Sequence, residues 1–496
     1  MAVLTNLPIE ILNNICTSLC CHCRQNKVKL DKPSAPDISN EDYSERLGLR
    51  NLCLTSRSLR YIAQPILYHV FLHHCNMNWK KKETHLIPRL FRLLRTINEN
   101  PHLSFCIKSI DIKAYEEKCD CCSPTADCAT DEETVQVMRL SERTGLYVDL
   151  LDVDYDTLPE ILTQFLLIMT PNLQKLSLCV PRWWYFQPLE TWIHGHNESM
   201  TLLGQVRHME LEIERHANDM CFDEHDEDTC FHPTPPSPVE RLLIDNASNI
   251  EVLSCTAGGL ESLPKLPSLR RLHLHMKGSW EGMLPQLMDR LPHLTHFSYF
   301  TRNLHSPTPR EIQDSLHNHH ETLQHLTVVS QFWESISGND LRMDPSRPYP
   351  MSSLADFKAL ETINLDGYMI WPHRNDGSTI QDVESDLQRL PKFLPQCIQQ
   401  LHIDMDGWLN YGEENLRSLA KAVANGKFPY LQTVIWGMIH DRRHLRRETC
   451  NKAWEIGEDW REIIAQEVES RMRRGYHEAF PDWRAELLES AAKEAC

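Results

Sequence analysis

Apolar residues past position 105 recur in a hexad, apolar-x-x-apolar-x-apolar, often preceded by proline. Copies stand at Ile107/Ile110/Ile112, Leu173/Leu176/Leu178, Val206/Met209/Leu211, Val239/Leu242/Ile244 and Leu269/Leu272/Leu274. They continue at Leu294/Phe297/Tyr299, Leu323/Leu326/Val328, Leu360/Ile363/Leu365, Ile398/Leu401/Ile403 and Leu431/Val434/Trp436. The last three positions of each alternate apolar, polar, apolar, the period of a strand with one buried face. From residue 173 on, successive starts lie 25 (294 − 269) to 38 (398 − 360) residues apart. Helical periodicity fills several intervals, at 159–169, 283–291, 309–317, 383–394 and 416–423. Ile250/Leu253/Cys255 also fits the hexad but precedes the next copy by only 19 residues (269 − 250), so it is assigned to a return path. The pattern predicts an α/β chain of strand-and-return units. A single unit cannot bury its own apolar face, whereas a stack of them builds a continuous core.

The first seventy residues follow a different, helical pattern. Leu7-Pro8-Ile9-Glu10-Ile11-Leu12 opens it, and Ile15 and Leu19 extend one face at helical spacing. Asn6 suits the N-cap, Pro8 the first turn, and Glu10 the positive end of the helix dipole. A second apolar set follows at Leu49, Leu52, Cys53, Leu59, Ala63 and Leu67. Between the two lies a polar insertion, about 20–46, containing Pro33 and Pro36. A linking helix is expected within 76–104. The segments 116–133 (acidic and Cys-rich) and 217–238 (Asp, Glu and Pro) read as excursions, because such compositions cannot pack a core. From 448 to 496 the chain becomes charged and helical in pattern, with Trp454, Trp460 and Trp483, as a polar terminal cap would be.

Two resemblances follow from these residues. The Leu-Pro-x-Glu-Ile-Leu start, the Leu49-Arg50-Asn51-Leu52-Cys53-Leu54-Thr55-Ser56-Arg57-Ser58-Leu59-Arg60 block and the Pro65-Ile66-Leu67-Tyr68 exit resemble the F-box of fungal-type F-box proteins. The inserted loop stands where that family usually has a short turn. The hexads and their spacing resemble degenerate leucine-rich repeats, in which each unit supplies one short strand and a return. The resemblance implies an F-box-like domain over 1–75, an irregular leucine-rich-repeat solenoid over 105–447 and a helical C-terminal cap. It further implies docking on the Skp-type adaptor of a cullin-RING ubiquitin ligase, with the repeats holding a protein substrate. Leu7, Pro8, Ile11, Leu12, Ile15, Leu52 and Leu54 would then form or support the adaptor-binding surface. The alternative is a repeat-based interaction scaffold acting outside any ligase.

Composition narrows the chemistry. The 496 residues carry a formal net charge of −18, which opposes a nucleic-acid-binding surface. No apolar run approaches the length of a membrane span. No basic region followed by an apolar stretch opens the chain as a secretory signal would. Eighteen cysteines, many inside apolar patterns, then read as reduced thiols of an intracellular protein. There is no Walker loop, G-x-G-x-x-G, G-x-S-x-G or H-E-x-x-H motif, so no enzyme activity and no cofactor is expected.

Three residue sets remain as candidates. Cys119, Cys121, Cys122 and Cys128 form one sulfur cluster, and Cys20-Cys21-His22-Cys23 a second set of potential ligands. Both only partly imitate the paired spacing of zinc sites, and the reading assigns no metal to either. Alternation places His208, His273, His275, His296, His325 and His402 on the polar face of the strands, with Arg271, Asn364, Asp366 and Asp404. Of these, His273, His275, His296, His325 and His402 are taken as substrate-facing. Trp183, Trp280, Trp333, Trp371 and Trp408 each follow a hexad start by 10 or 11 residues. They form either a packed ladder between repeats or an aromatic ledge, with Trp184 and Tyr185 as its exposed, substrate-binding members.

Overall fold

The computed structural model describes residues 7–25, 40–74, 86–113, 131–149, 157–181, 184, 186–196, 202–214, 238–256, 263–276, 284–301, 307–330, 350–371, 389–404, 409–437 and 453–455. The chain is α/β and divides into two compact units, 1–323 with 329–347 and 324–328 with 348–496.

The first unit opens with helices α1 (Ile9–Ser18), α2 (Cys21–Gln25), α3 (Asn40–Thr55) and α4 (Arg57–Leu67). Pro8 is the N-cap of α1, one position outside the first turn expected for it. Ser56 caps α4, its hydroxyl accepting from the Leu59 N–H at 3.1 Å. Arg60 Nε donates to the Cys53 carbonyl and so satisfies an acceptor at the end of α3. Cys16, Cys20, Leu49, Cys53, Ala63 and Ile66 form the bundle's core. The polar insertion is therefore not one loop: α2 occupies its beginning and α3 starts at Asn40, ahead of the apolar pattern that revealed the helix.

Seven parallel strands follow: β1 (Val70–His74), β2 (Ser109–Lys113), β3 (Lys175–Pro181), β4 (His208–Glu214), β5 (Val252–Thr256), β6 (Arg271–Met276) and β7 (His296–Thr301). Each pairs with the next in chain order. Register aligns the hexads, so Ile110, Leu176, Met209, Leu253, Leu272 and Phe297 make one buried row across the sheet. A second recurring feature lies just before the strands. The carbonyls of His69, Lys108, Gln174, Arg207, Glu251 and Arg270 each accept two successive N–H groups from the start of the next strand. Helices α5 (Leu86–Glu99), α6 (Pro101–Ser104), α7 (Asp131–Thr144), α8 (Leu158–Met169), α9 (Gln187–Gly195), α10 (Pro238–Asp245), α11 (Leu284–Met288) and α12 (Pro309–Ser315) complete the unit. Helix α5 falls within the 76–104 segment expected to link the helices to the repeats; it lies between the paired strands β1 and β2 and buries Leu86, Ile87, Leu90, Phe91, Leu94 and Ile97.

Two hexads exchange roles. Val239/Leu242/Ile244 lies in α10, where Val239, Glu240, Leu243 and Ile244 are buried at helical spacing. Ile250/Leu253/Cys255, assigned above to a return path, forms the true strand β5. The ambiguity is physical: i, i+3 and i+5 contains a three-residue step that a helix also satisfies. Strand β1, directly after the second helical block, buries Phe71 and His73, so no hexad in its own register announced it.

The second unit contains β8 (His325–Ser330) as far as Val328, β9 (Thr362–Asp366), β10 (Gln400–Asp404) and β11 (Thr433–Gly437), again parallel and in chain order. The carbonyls of Gln324, Glu361 and Gln399 repeat the paired acceptance seen in the first unit. Here too hexad residues align, with Leu326, Ile363, Leu401 and Val434 buried in one row. The last described segment, β12 (Ala453–Glu455), is a strand antiparallel to β11. It corrects the helical expectation at those three residues, because the free edge of β11 offers backbone partners that a helix would not use. The rest of the expected cap lies outside the described residues, as do Asn6, the Cys119 cluster, Tyr185, Trp183, Trp280, Trp333 and Trp408.

Candidate functional site

The N-terminal bundle buries one side of each helix and leaves large apolar groups on the other. Leu12 and Cys16 of α1 point into the core, and Ile15 is half-buried. Leu7, Pro8, Ile9 and Ile11 are exposed, Ile9 at 57% and Ile11 at 45%. On α3 Leu49 and Cys53 are buried and Leu52 half-buried, while Leu47 is exposed and Leu54 is 67% exposed. Tyr61 of α4 is exposed as well. The predicted set thus divides: Leu7, Pro8, Ile11 and Leu54 face solvent, whereas Leu12, Ile15 and Leu52 support them from within. Ile9, Leu47 and Tyr61 were not anticipated. Ile9 could have been, since it lies between Leu7 and Ile11 in the same opening motif.

In the first unit, the sheet face opposite the buried row is polar. Its middle row reads Asp111, Ser177, Glu210, Ser254, His273 and Ser298 across β2 to β7. Ser177 Oγ donates to Glu210 Oε2 at 3.0 Å, and Lys113 Nζ lies 3.9 Å from Glu210 Oε1. Asp111, Ser177 and Ser298 are buried, so this row is partly sheltered from water. His273 is half-buried, and burial, followed by the nearby His275 and Arg271, lowers its pKa to about 4. His275 is exposed and stacks on Phe300 at 5.1 Å. His296, half-buried, registers beside Arg271. His208 is also half-buried, and burial lowers its pKa. The structure therefore gathers His273, His275 and His296 on two adjacent strands of one unit. His325 and His402 belong to the second unit, on β8 and β10 with β9 between them; both are half-buried.

Trp184 does not form an exposed ledge. It is buried, with Phe186 beside it at 6.0 Å between ring centroids. The segment is turned inward by the buried helix α8. Glu160 Oε1 accepts the Phe186 N–H at 2.6 Å, and Gln164 Oε1 accepts the Leu189 N–H at 2.8 Å. These two bonds satisfy donors at the start of α9, where Phe186 is the N-cap with φ 50°. Trp371 is likewise buried, as the ladder reading expects.

A fourth arrangement joins residues distant in sequence. Cys20 and Cys23, at the start of α2, meet His69 in the turn between α4 and β1. With His22 they form a group of metal-ligating type, the one such group of three or more among the described residues. The Cys20 thiol is pushed up to about 12, first by its hydrogen bond with Cys23 and then by burial. No helix among the described residues is long and apolar enough to cross a membrane. No protein-family model matches the chain, and no curated protein matches it in sequence.

Proposed function

We propose that the chain is a non-catalytic substrate receptor of a cullin-RING ubiquitin ligase. Its N-terminal helices dock on a Skp-type adaptor, and its strand-and-return units form an irregular leucine-rich-repeat solenoid that holds a protein substrate. The observation that carries the docking half is the set of exposed apolar side chains on the bundle, Leu7, Ile9, Ile11 and Leu54, above a core that is already filled. A small bundle gains nothing from large apolar groups in water, whereas apolar surface of this kind marks protein contact sites. The repeat half is supported by two regularities: the aligned hexad rows and the paired N–H acceptance repeated before strand after strand in both units. The polar faces around His273, His275 and His296, and around His325 and His402, suit recognition of a polar peptide or protein surface. Such a receptor performs no bond chemistry; it supplies proximity and orientation between substrate and the ubiquitin-carrying enzyme.

Co-expression with a Skp-type adaptor tests the reading. The full chain should form a stable complex, and Leu7→Ala with Pro8→Ala should weaken it without changing thermal unfolding. A folded chain that does not bind the adaptor, or a double variant that binds it as tightly as wild type, overturns the docking half. A folded wild-type chain that captures its substrate yet does not bind the adaptor would favour a free-standing scaffold.

A further inference from the structure

We infer that Cys20, His22, Cys23 and His69 form a structural zinc site that ties the N-terminal helices to the first strand of the sheet. One donor atom from each of these residues lies within 4.8 Å of all the others. Three of the six separations lie near those of a tetrahedral ligand shell. Zinc bonds of about 2.3 Å to sulfur and about 2.0–2.1 Å to nitrogen require ligand atoms roughly 3.3–3.8 Å apart. Cys23 Sγ lies 3.3 Å from His69 Nδ1, Cys20 Sγ lies 3.8 Å from the same nitrogen, and Cys23 Sγ lies 3.9 Å from His22 Nδ1. Binding needs the remaining donor pairs, within 4.8 Å of one another, to close by at most about 1.5 Å around the ion. The donor set of two sulfurs and two imidazoles is complete at four, which is the closed shell of a structural rather than a catalytic zinc site.

The surroundings hold the ligands in place from two directions. Cys20 and Cys23 are joined to the bundle core, Cys20 as a buried member and Cys23 packed against it. The Arg24 N–H donates to the Cys20 carbonyl at 3.0 Å, which fixes the turn that brings both sulfurs to one side. His69 is anchored separately, its carbonyl accepting the N–H groups of Lys108 and Ser109 at 2.8 and 2.9 Å. The His22 and His69 rings meet edge to face, 5.7 Å between centroids, so their nitrogens converge without stacking. The two sulfurs bind as thiolates, their protons passing to solvent, and the ion closes the 46-residue loop between Cys23 and His69. That loop contains the polar insertion, so the site pins its first end beside the sheet while α3 receives the other. The inference is independent of adaptor docking, since it concerns how the bundle is fixed to the strands.

Metal analysis of the full chain, expressed in zinc-supplemented medium and purified without chelator or metal-affinity resin, decides it. Near-stoichiometric zinc is expected in wild type and in a Cys119→Ser, Cys122→Ser variant. It should be lost from Cys20→Ser with Cys23→Ser. If that pair fails to fold, cobalt substitution of the wild-type chain supplies the test. A tetrahedral spectrum with the charge-transfer intensity of two thiolates supports the site, and that intensity should halve in Cys23→Ser. Wild-type protein without zinc, zinc retained when Cys20 and Cys23 are both replaced, or a four-thiolate cobalt spectrum would each overturn the assignment.

Discussion

Leu54→Ser separates docking from folding more cleanly than any other single change in the bundle. Leu54 is 67% exposed near the C-terminal end of α3, so only about a third of its side chain contributes to folding. Full burial of a leucine is worth about 1.5–3 kcal/mol. A partner that covers the remaining two thirds gains roughly 1–2 kcal/mol from it, and losing that should weaken adaptor binding about five- to thirtyfold. The same division assigns roughly 0.5–1 kcal/mol to folding, a small shift in melting temperature for a unit of this size. Leu59 is the internal control. It is buried in α4, one turn from the Ser56 cap, and Leu59→Ala should cost about 2–5 kcal/mol of stability. Affinity measured by interferometry against an immobilised Skp-type adaptor, with thermal unfolding of the same samples, reads both effects. The reasoning fails if Leu54→Ser binds within twofold of wild type, or if its affinity falls only in proportion to unfolded protein.

Two further outcomes follow from burial and from titration. Trp371→Ala should lower stability by about 3–5 kcal/mol, because the ring is buried; a melting temperature unchanged from wild type would remove Trp371 from the core. His273 has a folded pKa of about 4 against an ordinary 6.5, so the unfolded chain takes up its proton first as the pH falls. Its contribution is intact above about pH 6.5 and is lost towards pH 4, by no more than about 3 kcal/mol. Denaturant unfolding at pH 7 and pH 4.5 should show this loss, and His273→Gln should shrink it; an identical loss in the variant rejects the assignment.

What was legible in the sequence was whatever a single element decides for itself. Leu272 and Leu274 declare a buried strand face by alternation, and the bundle helices declare their inward sides through Leu12, Cys16, Leu59 and Ala63. What was not legible depends on a second element. His69 lies 46 residues from Cys23 and carries no motif spacing; only the turn between α4 and β1 brings it to the sulfurs. Trp184, in an aromatic run that reads as a ledge, is taken inward because Glu160 and Gln164 of α8 bind the backbone that follows it. Spacing misled in the same way: it favoured Val239 over Ile250 as a strand, because a unit of only 19 residues is shorter than the 25 to 38 of the others.

The histidines on the sheet show how far alternation reaches. His273 and His275 occupy the same strand and the same face, so their own sequence pattern cannot distinguish them. Register does. His273, half-buried, lies between Ser254 and Ser298, in the row where Asp111, Ser177 and Ser298 are buried, and its charge is suppressed. His275 lies between Thr256 and Phe300, in the next row, where it is exposed and stacked on the Phe300 ring. Two residues apart, one imidazole remains neutral well below neutral pH and the other is open to a partner. Any contact that a bound protein makes to this face should therefore depend on His275 as an exposed ring and on His273 as a neutral hydrogen-bonding group, a difference set by neighbouring strands rather than by the residues themselves.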